Sequence, residues 1–497
     1  MTLRNLLFTY FITSCCALTL AAPFEPTPSP NPWPDDYTDV SWLDHYRSWG
    51  TYNVHDPSCI KAGDYYYMYS TDAIYFDRRK RGRHTDVKPG FIQVRRSRDL
   101  VNWEFTGWAF DEIPAEATEW VRSHNKGHGA TNIWAPYITR GTNGSYLLYY
   151  CVSAFGKPTS YIGLARSQSP EGPWEQMGCV VRTDETTPMN AIDPSVITGN
   201  DGRRWMHYGS YFGGLYCVEL DPSTGLTLHP GDLGHLTARR ANWRVDNLEA
   251  PEIYYSPVHN KYYLFGSYEP LMTTYNVRVC RGDRAEGPFI DFHGKEMRDT
   301  TNNFPILTAP YRFHGHDGWA GTGHCGVFDD GTGRVFMVHQ ARLAPHNELM
   351  DLHLRRVFFT PSGWPVVSPE RYAGNPDTTF DTADIAGVWE LIHINDPRSN
   401  RRLEAGQVLW GEGEVKPGES QPGRICAVYP DGYLTVGDKE GSWSFDPDTQ
   451  LLSITVGGET IADLIVHSGH DWERSADTML FTGLDSNGRS MWGKRIR

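Results

Sequence analysis

Asn190-Ala191-Ile192-Asp193-Pro194-Ser195-Val196 is the stretch whose reading decides the fold. An acidic residue meets a proline, and β-branched residues then start a strand leading to Gly202-Arg203-Arg204-Trp205-Met206-His207-Tyr208. Proline fixes its own φ and biases the residue before it toward extended geometry. The Asp193 carboxylate is therefore expected at a strand entrance, held rather than loose. Four other segments repeat this grammar. They are His55-Asp56-Pro57-Ser58 followed by residues 65–68, Trp134-Ala135-Pro136-Tyr137 followed by 146–150, Glu249-Ala250-Pro251-Glu252 followed by 262–265, and His324-Cys325-Gly326-Val327-Phe328 followed by 335–338.

Recurrence of a four-stranded unit predicts an all-β fold, a five-bladed β-propeller. In such a fold the innermost strands line a central axis, so Asp56, Trp134, Asp193, Glu249 and His324 are expected to converge on one pocket. Outer halves recur in the same order: residues 91–96 before Ser97-Arg98-Asp99, 161–166 before Ser169-Pro170-Glu171-Gly172-Pro173-Trp174, and 277–281 before Glu286-Gly287-Pro288-Phe289. The pattern is interrupted by a basic run at 77–83 and by residues 113–129, which carry His124 and His128. Loops at a propeller mouth shape a ligand groove, whereas a solvated surface loop is the plainer reading of the basic run.

At 497 residues the chain exceeds one ordinary core. Residues 1–22 read as a signal peptide, with Arg4, an apolar run over 6–20, and Ala21-Ala22 before Pro23. A proline-rich leader follows over 23–40, then the propeller over 41–372 and a turn-rich linker over 373–384. Short strands fill 385–497, a small β-barrel-like domain whose aromatics could stack on sugar but which more simply props up the propeller. The protein is expected to be secreted and monomeric. A net charge of −14 argues against nucleic acid and anionic membranes as partners. Cys15 and Cys16 would leave with the signal, and the odd remainder predicts at least one free thiol and at most one or two disulfides. Asn143-Gly144-Ser145 is a glycosylation acceptor motif.

Three carboxylates from different blades suit glycoside hydrolysis. One acid must protonate the leaving oxygen, and one carboxylate must attack or activate water. A third raises the acid's pKa by repulsion and orients it. Glu249 is long enough to reach a glycosidic oxygen, Asp is short enough to hold a water, and Trp134 offers a face to the apolar edge of a sugar ring. Any one Asp-Pro alone is usually only a turn; three at matching positions of a repeat are not. His324 is either a satisfied buried histidine or a ligand on the axis.

At these residues the sequence resembles glycoside hydrolase family 43, and its arabinanases most closely. The likeness rests on His-Asp-Pro-Ser at 55–58, Asn-Ile-Trp-Ala-Pro at 132–136, Val-Ser-Ala-Phe-Gly at 152–156, Asn-Ala-Ile-Asp-Pro at 190–194, Gly-Ser-Tyr-Phe-Gly-Gly at 209–214, Glu-Ala-Pro-Glu-Ile at 249–253 and Gly-Thr-Gly-His at 321–324. The tail, with Gly387-Val388-Trp389 and Met491-Trp492-Gly493-Lys494, resembles the C-terminal domain of the longer arabinanases. The resemblance implies endo cleavage of α-1,5-L-arabinan, a pectin side-chain polysaccharide, with inversion. Asp56 would be the base, Glu249 the acid and Asp193 the pKa modulator, with Asp56 and Glu249 roughly 6.5–9.5 Å apart. It further implies a hydrated calcium or similar ion at His324, no organic cofactor, and sugar contacts from Trp134, Phe155, Asn190, Tyr211 and Phe212. Phe212 and Cys325 depart from the arabinanase pattern, which has Trp and Asn there. Exo-acting arabinanases, α-L-arabinofuranosidases and β-xylosidases share the three carboxylates. A zinc site on His314-Gly315-His316-Asp317 lacks further ligands at the right spacing, and a carbohydrate-binding propeller has no need of an acid and base together.

Overall fold

The computed structural model describes residues 35, 37, 40–71, 86–240, 247–299, 302–344, 349–397 and 420–496. The expected signal peptide, most of the leader and the basic run at 77–83 lie outside the described residues. Four separate antiparallel sheets have four strands each, in simple sequence order. Their first strands are His55–Ala62, Trp134–Arg140, Ser195–Thr198 and Leu248–Ser256. The expected fifth unit is not a separate four-stranded sheet. Its strands Cys325–Asp329, Val335–Leu343, Met350–Phe359 and Pro365–Val367 belong to a seven-stranded sheet, extended by Trp319–Ala320, Tyr311–Arg312 and Gln421–Pro422. The extension exists because Tyr311–Arg312 pairs in parallel with a strand from beyond residue 372. The first strands of all five arrays touch in a closed cycle, which makes the arrangement propeller-like.

The strand entrances differ from the extended geometry expected before proline. Asp56, Ala135, Asp193, Ala250 and His324 have φ of 50°, 38°, 57°, 54° and 51°. In three of the arrays the ladder slips at this point, between His55 and Ser58, Trp134 and Tyr137, and Glu249 and Glu252. A bulge leaves a residue unpaired and bends the strand, and left-handed backbone at a non-glycine residue persists only where the surroundings hold it. Aligned on this residue, Trp134 and Glu249 stand one place before Asp56, Asp193 and His324. They are therefore not at the equivalent position that the repeat suggested.

Two residues after each bulge, a side chain reaches the next sheet. Ser58 accepts from Ile138 N–H (3.1 Å), Tyr137 donates to the Val196 carbonyl (3.0 Å), Ser195 accepts from Ile253 N–H (3.1 Å) and Glu252 accepts from Val327 N–H (2.8 Å). The fifth residue in this series is Gly326, where an added Cβ would sit 2.9 Å from the Pro57 carbonyl. Glycine lets the last sheet approach the first. Residues 113–129 form a helix, Ala115–His124, that buries Ala117 and Val121 against the second sheet.

The C-terminal strands close into an eight-stranded barrel running from Gly387–His393 to Ser490–Arg495. Its interior is filled by Trp389, Leu434, Leu464 and Phe481, among others. The barrel is joined to the sheets by backbone as well as side chains. Ile306 N–H donates to the Gly488 carbonyl (3.0 Å), and Arg278 meets Asp396 at 2.6 Å. His314 and His316 belong to this junction and not to a metal site: His314 meets Glu390 at 2.5 Å and His316 meets Asp35 at 2.9 Å. All seven described cysteines are free thiols, which agrees with the expectation of at least one free thiol and at most one or two disulfides. No helix among the described residues is long and apolar enough to cross a membrane.

Candidate active site

The bulges gather Asp56, Asp193, Glu249 and His324 at one end of the ring of first strands. Asp56 is buried, and both of its oxygens are engaged. His324 Nδ1 lies 2.8 Å from Oδ1, while His55 Nδ1 and the Thr71 hydroxyl each lie 2.8 Å from Oδ2. Burial alone would raise the Asp56 carboxyl, but His324 and His55 outweigh it and hold the group well below the usual carboxylate range. Burial pushes His324 down, yet Asp56, Asp193 and Glu249 together carry it up to about 9. Asp56 is thus an anion paired with an imidazolium.

The other two carboxyls move the opposite way. Burial, opposed by His324 but reinforced by repulsion from Glu249 and Asp56, pushes Asp193 well above the ordinary range. Burial also raises Glu249, against the hydrogen bonds of Ser210 and Tyr275. The Ser210 hydroxyl donates to Glu249 Oε2 at 2.7 Å, and Asp193 Oδ2 accepts from Ala250 N–H at 3.2 Å. Carboxyls that share a low-dielectric site resist ionising together, and both shifts run in that direction.

The expected sugar contacts divide into two groups. Trp134 is half-buried and meets the exposed Phe155 edge to face, with centroids 6.1 Å apart. Phe212 is also half-buried. Asn190 is buried and occupied: its Oδ1 accepts from the Ser160 hydroxyl (2.6 Å), and its Nδ2 donates to the Ser210 carbonyl (3.3 Å). It braces the residue that holds Glu249. Tyr211 is buried with φ of 55°, and its N–H donates to the Leu248 carbonyl.

Thr71, Ser210 and Tyr275 carry no sequence signal of their own, since each is distant in sequence from the carboxylate it touches. Tyr275 leaves one trace. A Cβ at Gly323 would fall 2.3 Å from the Tyr275 ring, so the second glycine of Gly-Thr-Gly-His makes room for it. Three potential ligand atoms of His, Cys, Asp or Glu gather among the described residues only at Glu370, Asp471 and Glu473, not at His324.

Residues 50–365 match the description Glycosyl hydrolases family 43, and 369–493 match its C-terminal lipocalin-like domain. The chain belongs to glycosyl hydrolase family 43. It is a glycoside hydrolase with the two-domain layout of its longer members. One family 43 relative, the extracellular endo-α-(1→5)-L-arabinanase of Thermotoga petrophila, is 30% identical, and the match covers 89% of this chain and 93% of that protein. The crystal structure of the endo-1,5-α-L-arabinanase from Thermotoga petrophila RKU-1 superposes with a TM-score of 0.73 at 27% identity, covering 90% of this chain and 99% of that one. An extracellular exo-α-(1→5)-L-arabinofuranosidase of Cellvibrio japonicus is 30% identical, covering 63% of this chain and 86% of that protein.

Proposed function

We propose that this family 43 enzyme is a secreted endo-arabinanase that hydrolyses α-1,5-L-arabinofuranosyl linkages with inversion. What carries the reading is one buried site in which His324 and His55 pair with Asp56 and hold it low while burial raises Glu249. Ionised Asp56 is the base: it takes a proton from water as the water oxygen bonds to the anomeric carbon. As the glycosidic C–O bond breaks, protonated Glu249 gives its proton to the leaving oxygen. Asp193 is the modulator: it and Glu249 repel each other as anions, and its carboxylate holds the N–H of Ala250 beside Glu249. Solvent then returns Asp56 and Glu249 to their starting states.

Trp134 and Phe155 supply an aromatic wall for a furanose ring, and Phe212 a second contact. We count the seven-stranded sheet as the fifth blade of a propeller, since its first strand completes the cycle. Relatives that match both domains are named endo-arabinanases, which favours endo over exo action. A calcium ion at His324 would have one imidazole nitrogen and water as ligands. A hard cation prefers six to eight oxygens, and its charge would oppose the imidazolium that Asp56 favours. The site thus suits a hydrated ion only, and no chemical step is assigned to it. Chelation followed by metal analysis and assay tests it: calcium recovered in stoichiometric amount supports the ion, and a metal-free active enzyme rejects it.

The functional test is a time course on linear α-1,5-arabinan, with Glu249→Ala alongside. Mixed oligomers appearing early, and absent with the variant, are expected. Products of one short size would replace endo with exo action, and no cleavage of arabinan would discard the substrate.

A further inference from the structure

The bulge residues hold left-handed backbone on which the aim of every site group depends, and something must catch their N–H groups. In each array the place across from the bulge, on the second strand, is Thr71, Cys151, Gly209, Ser267 or Gln340. Thr71 pairs with His55, Cys151 with Trp134 and Ser267 with Glu249; Gln340 follows the Cys325–His339 pair, and Gly209 N–H bonds the Ile192 carbonyl. In three arrays that side chain accepts the bulge N–H of the next array. Ala135 N–H reaches the Thr71 hydroxyl (2.7 Å), His324 N–H the Ser267 hydroxyl (2.8 Å) and Asp56 N–H the Gln340 carbonyl oxygen (3.3 Å). In the second array the Cys151 thiol instead donates to the Ala135 carbonyl at 3.6 Å.

The third array also breaks the series. Gly209 has no side chain and can have none, because a Cβ would lie 2.4 Å from the Gly214 carbonyl, at a φ of 135°. There the N–H of Ala250, the residue after Glu249, is caught by Asp193 itself.

We propose that Thr71, Ser267 and Gln340 are positioning residues forming a ring of N–H clamps around the site, and that Asp193 replaces the missing clamp at Gly209, aiming Glu249 through the backbone. Thr71 does double duty: it holds the bulge beside Trp134 and donates to Asp56 Oδ2. The inference rests on the assignment of Asp56 and Glu249 as base and acid.

Kinetics on arabinan, with thermal unfolding alongside, test it. Thr71→Val keeps the shape and removes the hydroxyl. It is expected to lower kcat about tenfold to a hundredfold with KM little changed, and Thr71→Ser is expected to restore most of the rate. Wild-type kcat in Thr71→Val, or a loss that follows a lowered Tm and is not restored by serine, overturns the ring. Asp193→Asn keeps an acceptor for Ala250 N–H and Asp193→Ala does not, so alanine is expected to fall at least about tenfold below asparagine. Equal rates overturn the replacement at Gly209. Asp56→Ala separates the two levels: an active Asp56→Ala removes the base assignment and the ring with it, whereas an inactive one beside a fully active Thr71→Val removes the ring alone.

Discussion

Two buried groups of three carboxylates stand out among the described residues, and they are built to opposite ends. Glu370, Asp471 and Glu473 surround Lys494 where the barrel meets the last sheet. The ammonium donates to Glu370 at 2.6 Å, to Asp471 at 3.0 Å and also to Glu473, so its three N–H bonds meet three acceptors. Arg474 takes the second oxygen of Asp471 at 2.8 Å. This group is saturated and lies on ordinary strands and turns. At the other site Asp56, Asp193 and Glu249 are held by hydroxyls, imidazoles and a backbone N–H on left-handed bulges. Clustering carboxylates is thus not what makes a site. Each group holds a carboxyl that burial and repulsion push up, Glu370 in one and Asp193 in the other; what separates them is the cation, a lysine that donates to all three carboxylates against a histidine that pairs with one.

The largest expected effect tests that contrast directly. Asp56→Asn should lower kcat about 10²–10⁴-fold with Tm nearly unchanged, whereas Glu473→Gln should leave activity per folded molecule intact while lowering Tm. If Glu473→Gln lost kcat and kept its Tm, the two groups would not be functionally distinct. Next in size is Lys494→Met, which strands buried carboxylates and is expected to cost about 3–5 kcal/mol in urea unfolding at neutral pH. Wild-type Glu473 is held down to about 2, although burial opposes this, by Lys494 first and then His316. A depressed carboxylate stabilises above its unfolded pKa and loses that contribution as pH falls through its folded value. The deficit of Lys494→Met should therefore shrink in acid. A deficit independent of pH would mean that packing over Phe313, whose ring lies 3.8 Å from Nζ, carries the effect.

The pH profile sharpens the site half of the comparison. Because Asp56 is held low, kcat/KM should persist into acid below the ordinary carboxylate range. Because Glu249 is raised, the rate should fall as pH rises through its elevated value. An alkaline limb that survives Glu249→Gln in the residual activity would assign the acid elsewhere.

What was legible in the sequence was whatever repeats. Asp-Pro, Ala-Pro and Glu-Ala-Pro mark strand entrances because proline is a local constraint, so the arrays and their carboxylates could be read from it. The same prolines carry the one-residue offset of Glu249, since Ala250 and not Glu249 precedes Pro251; the left-handed bulge itself was hidden, because it depends on the facing strand as well. Thr71, Ser210 and Gln340 were hidden for the same reason: they are ordinary strand-end residues until the fold brings another sheet to them. The lysine cluster joins Glu370 to residues about a hundred positions later, and no periodicity links them. His314-Gly315-His316 lacked the ligand spacing of a zinc site, but nothing local showed that His314 would meet Glu390 of the barrel and His316 would meet Asp35.

The smallest expected effect concerns a third kind of buried carboxylate, one that neither reacts nor meets a cation. Glu252 accepts from the Ser195 hydroxyl at 2.7 Å and from Val327 N–H at 2.8 Å, linking three successive arrays. Burial outweighs both bonds and pushes it up to about 7. Its folded value lies above its unfolded one, so its contribution is fully present below about 4.5 and is lost as pH rises toward 7. The loss amounts to no more than about 3 kcal/mol. Glu252→Gln keeps an acceptor for Val327 and removes the titration. Its stability relative to wild type should thus rise between pH 5 and pH 8, read as the difference in urea midpoints at each pH. A difference that stays flat across that range would mean that Glu252 keeps its charge in the fold. A buried carboxylate would then need no lysine or histidine in direct contact, and the paired cation would no longer be what separates the two clusters.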